Sequence, residues 1–233
     1  MGDSEVVIVF QLGDSFPRDQ FIEDEIGRRT SLACLSYREI LDRYQSGLRM
    51  RRIATRLATL RRVLADLKGR PVILVGRSSG ARVITRLAAE GSAQIRGVVC
   101  ISYPFRRPGA RLAPDRIEHL RQLATPTLIY QGAQDEYGDV KAAAAYGLSA
   151  RITLVAIPGE HEFRRELFPW DDLMMRLEAM AAAAPPALCN GAGRGRLRKG
   201  PPLLLDPPGW VDLRDRAKAA ARRLAATLRR RPA

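Results

Sequence analysis

The sequence predicts an α/β fold: a doubly wound, mostly parallel sheet of about six strands with helices on both faces. Three observations point there. Short β-branched runs bounded by Gly, Pro or Asp alternate with stretches whose apolar residues recur at helical spacing. A 46% hydrophobic share in 233 residues can bury one sizeable core, which excludes disordered and fibrous classes. A Gly-x-Ser-x-Gly turn joins one of the strands to the helix after it.

In chain order, residues 6–10 form a continuous apolar run suited to a buried parallel strand, stopped by Gly13 and Asp14. Residues 31–35 are a second strand. Between residues 50 and 68, Ile53, Leu57, Leu60, Leu64 and Leu67 mark the inner face of a helix, leaving Arg51, Arg52, Arg56, Arg61 and Arg62 for its solvent face. Pro71 introduces a strand over 72–75; the turn Gly76-Arg77-Ser78-Ser79-Gly80 and a helix over 81–90 follow. Strands are further expected over 97–102, 127–131 and 152–157, with helices over 115–123, 141–146 and 171–184. Strands separated by helices imply right-handed crossovers between parallel neighbours.

The domain is therefore assigned to residues 1–184. Residues 185–209 hold six prolines and five glycines, too many for regular structure, and read as a linker. Residues 210–233 form a basic amphipathic helix with Leu213, Ala217, Ala220, Leu224 and Leu228 on one face. Of the net charge of +14, +9 lies beyond residue 184, so the basic character belongs mainly to the tail. That helix suits docking on the domain, a protein partner, or a polyanion such as nucleic acid or anionic lipid. No transmembrane segment or secretory leader is read, which makes a soluble, cytoplasmic protein the expectation. Cys34, Cys100 and Cys189 lack metal-ligand spacing and read as reduced thiols, the first two in the core. No cofactor or metal is expected, because two histidines without clustered carboxylates cannot assemble a ligand set.

The chemistry centres on Ser78. In G-x-S-x-G the serine occupies a strained strand-to-helix turn that exposes its hydroxyl above the sheet, and Gly76 and Gly80 are small because side chains there would collide with neighbouring elements. An acid and a histidine follow in chain order, each just past a strand. Asp135 comes after the strand at 127–131, with Asp139 as second candidate, and His161 comes after 152–157. His161 would take the Ser78 proton, and Asp135 would fix the imidazole tautomer. The oxyanion needs two backbone N–H donors: Ser79, and a residue of the loop after the first strand, with Leu12 as first choice and Gly13 as second. Arg106 and Arg107, in the segment beyond the strand at 97–102, are candidate substrate-binding residues for an anionic group. His119, inside a helix beside Glu118, reads as a surface residue.

Five stretches carry a family resemblance: Gly76-Arg77-Ser78-Ser79-Gly80-Ala81-Arg82; Ser102-Tyr103-Pro104-Phe105; His119-Leu120; Pro126-Thr127-Leu128-Ile129 with Gln131-Gly132-Ala133-Gln134-Asp135; and Gly159-Glu160-His161-Glu162-Phe163. Over most of residues 1–168 the chain resembles the small, capless α/β-hydrolase-fold proteins related to dienelactone hydrolases, especially the family of testis-expressed protein thirty and its bacterial relatives. The resemblance implies an α/β-hydrolase fold without a lid domain and the roles of nucleophile, acid and base for Ser78, Asp135 and His161. It also marks a departure. Relatives usually carry a His-Gly pair after the first strand, where this chain has Gln11-Leu12-Gly13-Asp14, which brings a carboxylate to that loop.

The expected function is that of a serine hydrolase acting on a small acyl ester or thioester. The alternative is a catalytically weak hydrolase-fold interaction module that works through its basic C-terminal tail.

Overall fold

The computed structural model describes residues 5–44, 52–183 and the strand 203–205. Among the described residues, seven parallel strands form one sheet: β1 (Val7–Gln11), β2 (Ala33–Leu35), β3 (Val72–Arg77), β4 (Ile95–Ile101), β5 (Thr127–Gly132), β6 (Ile152–Ile157) and β7 (Leu203–Leu205). Their order is β2-β1-β3-β4-β5-β6-β7, so the chain reverses its direction of travel between β1 and β3. The carboxyl ends of the strands beside such a switch point are where α/β sheets build their sites.

The six expected strands are all present. The seventh falls inside the stretch read as linker, where Leu203, Leu204 and Leu205 pair in register with Thr153, Leu154 and Val155. The rest of 185–209, Cys189 and the whole 210–233 helix lie outside the described residues.

The helices are α1 (Phe21–Gly27), α2 (Tyr37–Tyr44), α3 (Ile53–Asp66), α4 (Ser79–Ala88), α5 (Pro114–Arg121), α6 (Val140–Ala144) and α7 (Trp170–Ala182). α1 meets α7, and α7 packs on β3 and β4; α3 and α5 both meet α4, which packs on β1, β3 and β4 from the other face. The central strands are buried throughout, as their uninterrupted Val/Ile/Leu content requires when both faces are covered. No described helix is long and apolar enough to cross a membrane.

Three readings of individual residues need correcting. Arg56 is not on the solvent face of α3. The buried stripe runs through Arg56, Thr59, Leu60, Val63 and Leu64, spaced for one helix face, and the Arg56 side chain is fully buried. Cys34 is exposed, because the edge strand β2 has a neighbour on one side only. His119 is half-buried against α4, with Nε2 3.0 Å from Thr85 Oγ1, and burial followed by the charges of Arg86 and Arg82 holds it down to about 4.

α1 and α2 are joined by a buried carboxyl: Glu23 accepts from the Tyr37 N–H at 2.8 Å. Burial pushes Glu23 from an ordinary 4.5 up to about 7 against the opposing pull of that hydrogen bond. The folded state thus holds this proton more tightly than the unfolded chain. The associated stability, about 3 kcal/mol, is fully present below pH 4.5 and is lost as the pH rises through 7. Glu23→Gln keeps an oxygen for Tyr37 and removes the titration. Its melting temperature is expected to match the parent's near pH 4.5 and to exceed it increasingly towards about pH 8. Parallel thermal melts across that range check this, since His119 titrates equally in both proteins.

Candidate active site

Ser78 leaves β3 and immediately precedes α4, with φ 51° and ψ −118°, a left-handed conformation that L-residues rarely hold. The flanking glycines make the turn possible. A Cβ at Gly76 would lie 2.6 Å from Ile84 Cδ1 and 2.9 Å from Ala81 N, and one at Gly80 would lie 1.8 Å from the Gln11 carbonyl oxygen. The first contact is with α4 and the second with the carboxyl end of β1. The elbow is therefore wedged between the helix it starts and the loop across the switch point.

Loops beyond β5 and β6 bring the other two groups to the serine. Ser78 Oγ lies 2.9 Å from His161 Nε2, and His161 Nδ1 lies 2.9 Å and 3.1 Å from the two oxygens of Asp135. His161 and Asp135 are buried, at 6% and 2% exposure, whereas Ser78 is partly open to solvent. Asp135 is fixed from both sides: Gln131 Nε2 donates to Oδ2 at 2.8 Å and the Tyr137 N–H donates to Oδ1 at 2.8 Å. Gln131 is itself held, accepting from the Tyr103 N–H and donating to the Gly138 carbonyl. The Tyr137 ring packs on the imidazole with centroids 4.2 Å apart. Asp139, the second candidate acid, instead caps α6 by accepting from the Ala142 N–H.

Arg77, the residue between Gly76 and Ser78, is buried beside the histidine. Its Nη2 donates to the His161 carbonyl at 2.8 Å, and its Nη1 stands 3.3 Å from Nε2. A guanidinium carries donors only, so the ring nitrogen facing it presents a lone pair. The same nitrogen faces the Ser78 hydroxyl, while Nδ1 faces a carboxylate. Both contacts select one tautomer, N–H towards Asp135 and lone pair towards Ser78, which is the form a general base needs. Glu162 lies 3.7 Å from Arg77 and pairs with Arg18 at 2.9 Å. Asp19, buried nearby, has its carboxyl raised chiefly by desolvation, with Arg77 pulling it back.

The two expected oxyanion residues flank this centre. Ser79 opens α4, so its N–H has no partner from a preceding helical turn. Leu12 and Gly13 form the loop against the elbow, where a Cβ on Gly13 would lie 3.2 Å from Ser78 Cβ and 2.9 Å from the Arg77 carbonyl oxygen. Asp14 is 72% exposed and pairs with Arg56 at 3.4 Å, so its charge points to solvent and has a partner. Arg106 and Arg107 are not joined to the triad by hydrogen bonds among the described residues. Arg106 is half-buried, its backbone N–H donating to the Tyr137 carbonyl at 2.9 Å, and Arg107 is exposed. No role at the site was read in the sequence for Arg77, Gln131 or Tyr137, and Arg56 was read as a solvent-facing residue of its helix. Gln131 had a signal, its place at the end of a strand four residues before Asp135.

A strained serine elbow at the switch point of a parallel sheet, facing histidine and aspartate loops, defines an α/β-hydrolase-fold protein. Sequence comparison agrees: residues 37–184 match the family described as alpha/beta hydrolase domain, and the chain belongs to it. That is a family of hydrolases. Among solved structures, a protein designated a YdeN-like hydrolase from Pectobacterium atrosepticum superposes with a TM-score of 0.54 at 22% identity, covering 76% of this chain and 91% of that one. Est1E from Butyrivibrio proteoclasticus superposes with a TM-score of 0.54 at 15% identity over 78% of this chain and 90% of its own. The esterase domain of a Rhodothermus marinus protein gives 0.51 at 15% identity, over 77% and 85%. At these identities the likeness establishes the fold. No curated protein sequence matches the chain.

Proposed function

We propose that this protein is a serine hydrolase that cleaves a carboxylic ester or thioester through an acyl-enzyme on Ser78. The observation that carries the reading is the continuous relay from Ser78 Oγ to His161 Nε2 at 2.9 Å and from His161 Nδ1 to Asp135 at 2.9 Å. As Oγ attacks the acyl carbon, Nε2 takes its proton, and the imidazolium is stabilised by Asp135. The tetrahedral oxyanion accepts hydrogen bonds from Ser79 N–H and from an N–H of the Leu12-Gly13 loop. Collapse of this intermediate expels the alkoxide or thiolate, which receives the proton from Nε2. Water activated by the same nitrogen then releases the acid.

Only a short segment containing α5 connects β4 to β5, which leaves no room for a large cap. An open site suits small or protruding acyl groups, and Arg106 and Arg107 are the proposed contacts for an anionic one. The absence of a cap and the stretches around Ser78, Asp135 and His161 support placing the chain near the dienelactone-hydrolase-related group and the family of testis-expressed protein thirty.

The test is labelling of the full-length protein by a fluorophosphonate, which reacts with a serine whose proton is being removed by a working base. Labelling of the parent and Ser79→Ala but not of Ser78→Ala is the expected pattern. A folded parent that stays unlabelled rejects the hydrolase reading in favour of an interaction module built on the basic tail.

A further inference from the structure

Arg56 is the most thoroughly bonded side chain near the elbow that the proposed chemistry leaves unused. It comes from α3, 44 positions from the loop it touches, and is fully buried. Its Nη2 donates to the Leu12 carbonyl, and its Nη1 donates to Ser79 Oγ at 2.9 Å and reaches Asp14 Oδ1 at 3.4 Å. With the Gln11 amide turned so that its oxygen faces the guanidinium, Gln11 Oε1 accepts from Nε at 3.2 Å and from Nη2 at 3.1 Å. The Tyr37 ring lies beneath it, with its centroid 5.8 Å from Cζ.

Burying a guanidinium is costly, and one exposed carboxylate at the edge of hydrogen-bond range is a weak counter-charge. The other partners are neutral oxygens, and they belong to the two segments that must supply the oxyanion donors. In a trans peptide the C=O and the following N–H point in opposite directions. Fixing the Leu12 carbonyl on Arg56 therefore fixes the direction of the Gly13 N–H, which has no acceptor among the described residues. Gly13 is also the residue of this loop packed on Ser78 Cβ.

We propose that Arg56 is a positioning residue: its planar fork holds the Leu12–Gly13 peptide and Ser79 in one rigid unit so that the Gly13 and Ser79 N–H groups converge on the oxyanion. The inference rests on the serine-hydrolase reading and accounts for the unusual loop. Where a His-Gly pair is usual, this chain uses Gln11-Leu12-Gly13 tied down by a buried cation from α3. The cation also adds positive potential behind the two donors, where negative charge develops in the transition state.

The experiment compares the parent, Arg56→Met and Arg56→Lys as full-length proteins, by turnover of p-nitrophenyl acetate and by hydrogen exchange of the segment 11–16. Losing one well-aimed oxyanion donor costs on the order of 100-fold in kcat. Arg56→Met is expected to lower kcat by about that factor with KM within about threefold, and to speed exchange in 11–16 by about tenfold while β4 and β5 are unaffected. Arg56→Lys, which keeps the charge but not the fork, is expected to fall between them. Turnover within about twofold of the parent in a folded Arg56→Met, with exchange of 11–16 unchanged, overturns the proposal. If Arg56→Met exchanges globally and so fails to fold, Arg56→Lys is held to the same criterion. A parent inert towards the ester and the fluorophosphonate, in which Arg56→Met still loosens 11–16, sinks the hydrolase reading and leaves the clamp standing.

Discussion

Ser78→Ala is expected to lower turnover of any accepted ester by about 10⁴-fold or more, without lowering the melting temperature. The two halves have separate causes. The kinetic loss follows because, among the described residues, Oγ is the only group within hydrogen-bonding distance of the His161 lone pair that can become a nucleophile; the other, Arg77, is a cation with donors only. What survives is the modest rate that donors and binding alone provide. The stability half follows from φ 51° at Ser78, a conformation costing on the order of 1–3 kcal/mol that no side-chain hydrogen bond to its own helix offsets. Alanine keeps that backbone cost and loses only a partly exposed hydroxyl. Ser78→Gly, free to adopt positive φ, should be equally inactive and more stable than the parent, by up to that amount. Thermal melts and ester kinetics on the three proteins test both halves together. Undiminished turnover in Ser78→Ala would remove Ser78 from the chemistry altogether.

Ser78, Asp135 and His161 were legible in the sequence because the constraints on them are local. Gly76 and Gly80 announce the elbow, and Asp135 and His161 each sit a few residues past an apolar run, so chain order alone nominates them as candidates. Five of the six expected strands were legible for the same reason, as short apolar runs rich in Val, Ile and Leu; the sixth, β2, is only Ala33–Leu35. What escaped depends on contacts distant in sequence. Arg56 and Arg77 are arginines, a residue type that pattern reading assigns to solvent, and only the approach of α3 to the β1 loop, and of the His161 loop to the elbow, buries them. Leu203–Leu205 is three residues among prolines, a strand only because the β6 edge accepts it. α1 is seven residues, too short for periodicity to register. α2 is different, since its start is written in Ser36-x-x-Glu39: Glu39 Oε2 accepts from the Ser36 N–H at 2.9 Å, and Ser36 Oγ accepts from the Glu39 N–H at 3.2 Å. That reciprocal cap was present in the sequence and went unused.

Asp135→Asn is expected to cost about 10³- to 10⁴-fold in kcat while preserving the fold, and the surroundings of the carboxylate say why. Both Asp135 oxygens already accept, one from Gln131 Nε2 and one from the Tyr137 N–H, and both face His161 Nδ1. An amide has one acceptor oxygen to offer three donors, so its NH₂ must face either Gln131 or Tyr137 across a hydrogen-bond distance, donor against donor. One escape would be for the imidazole to exchange tautomers, leaving Nδ1 to accept from the new amide. That places the proton on Nε2, where it meets Arg77 Nη1 at 3.3 Å and no longer accepts from Ser78. Arg77 thus penalises the route by which the variant could relax, and kcat falls on either path: with the tautomer kept, no carboxylate stabilises the imidazolium, and with it exchanged, the lone pair facing Ser78 is lost. Equal kcat in the parent and Asp135→Asn would show that the carboxylate neither orients nor stabilises the base, and would return Asp139 to consideration despite its place at the cap of α6.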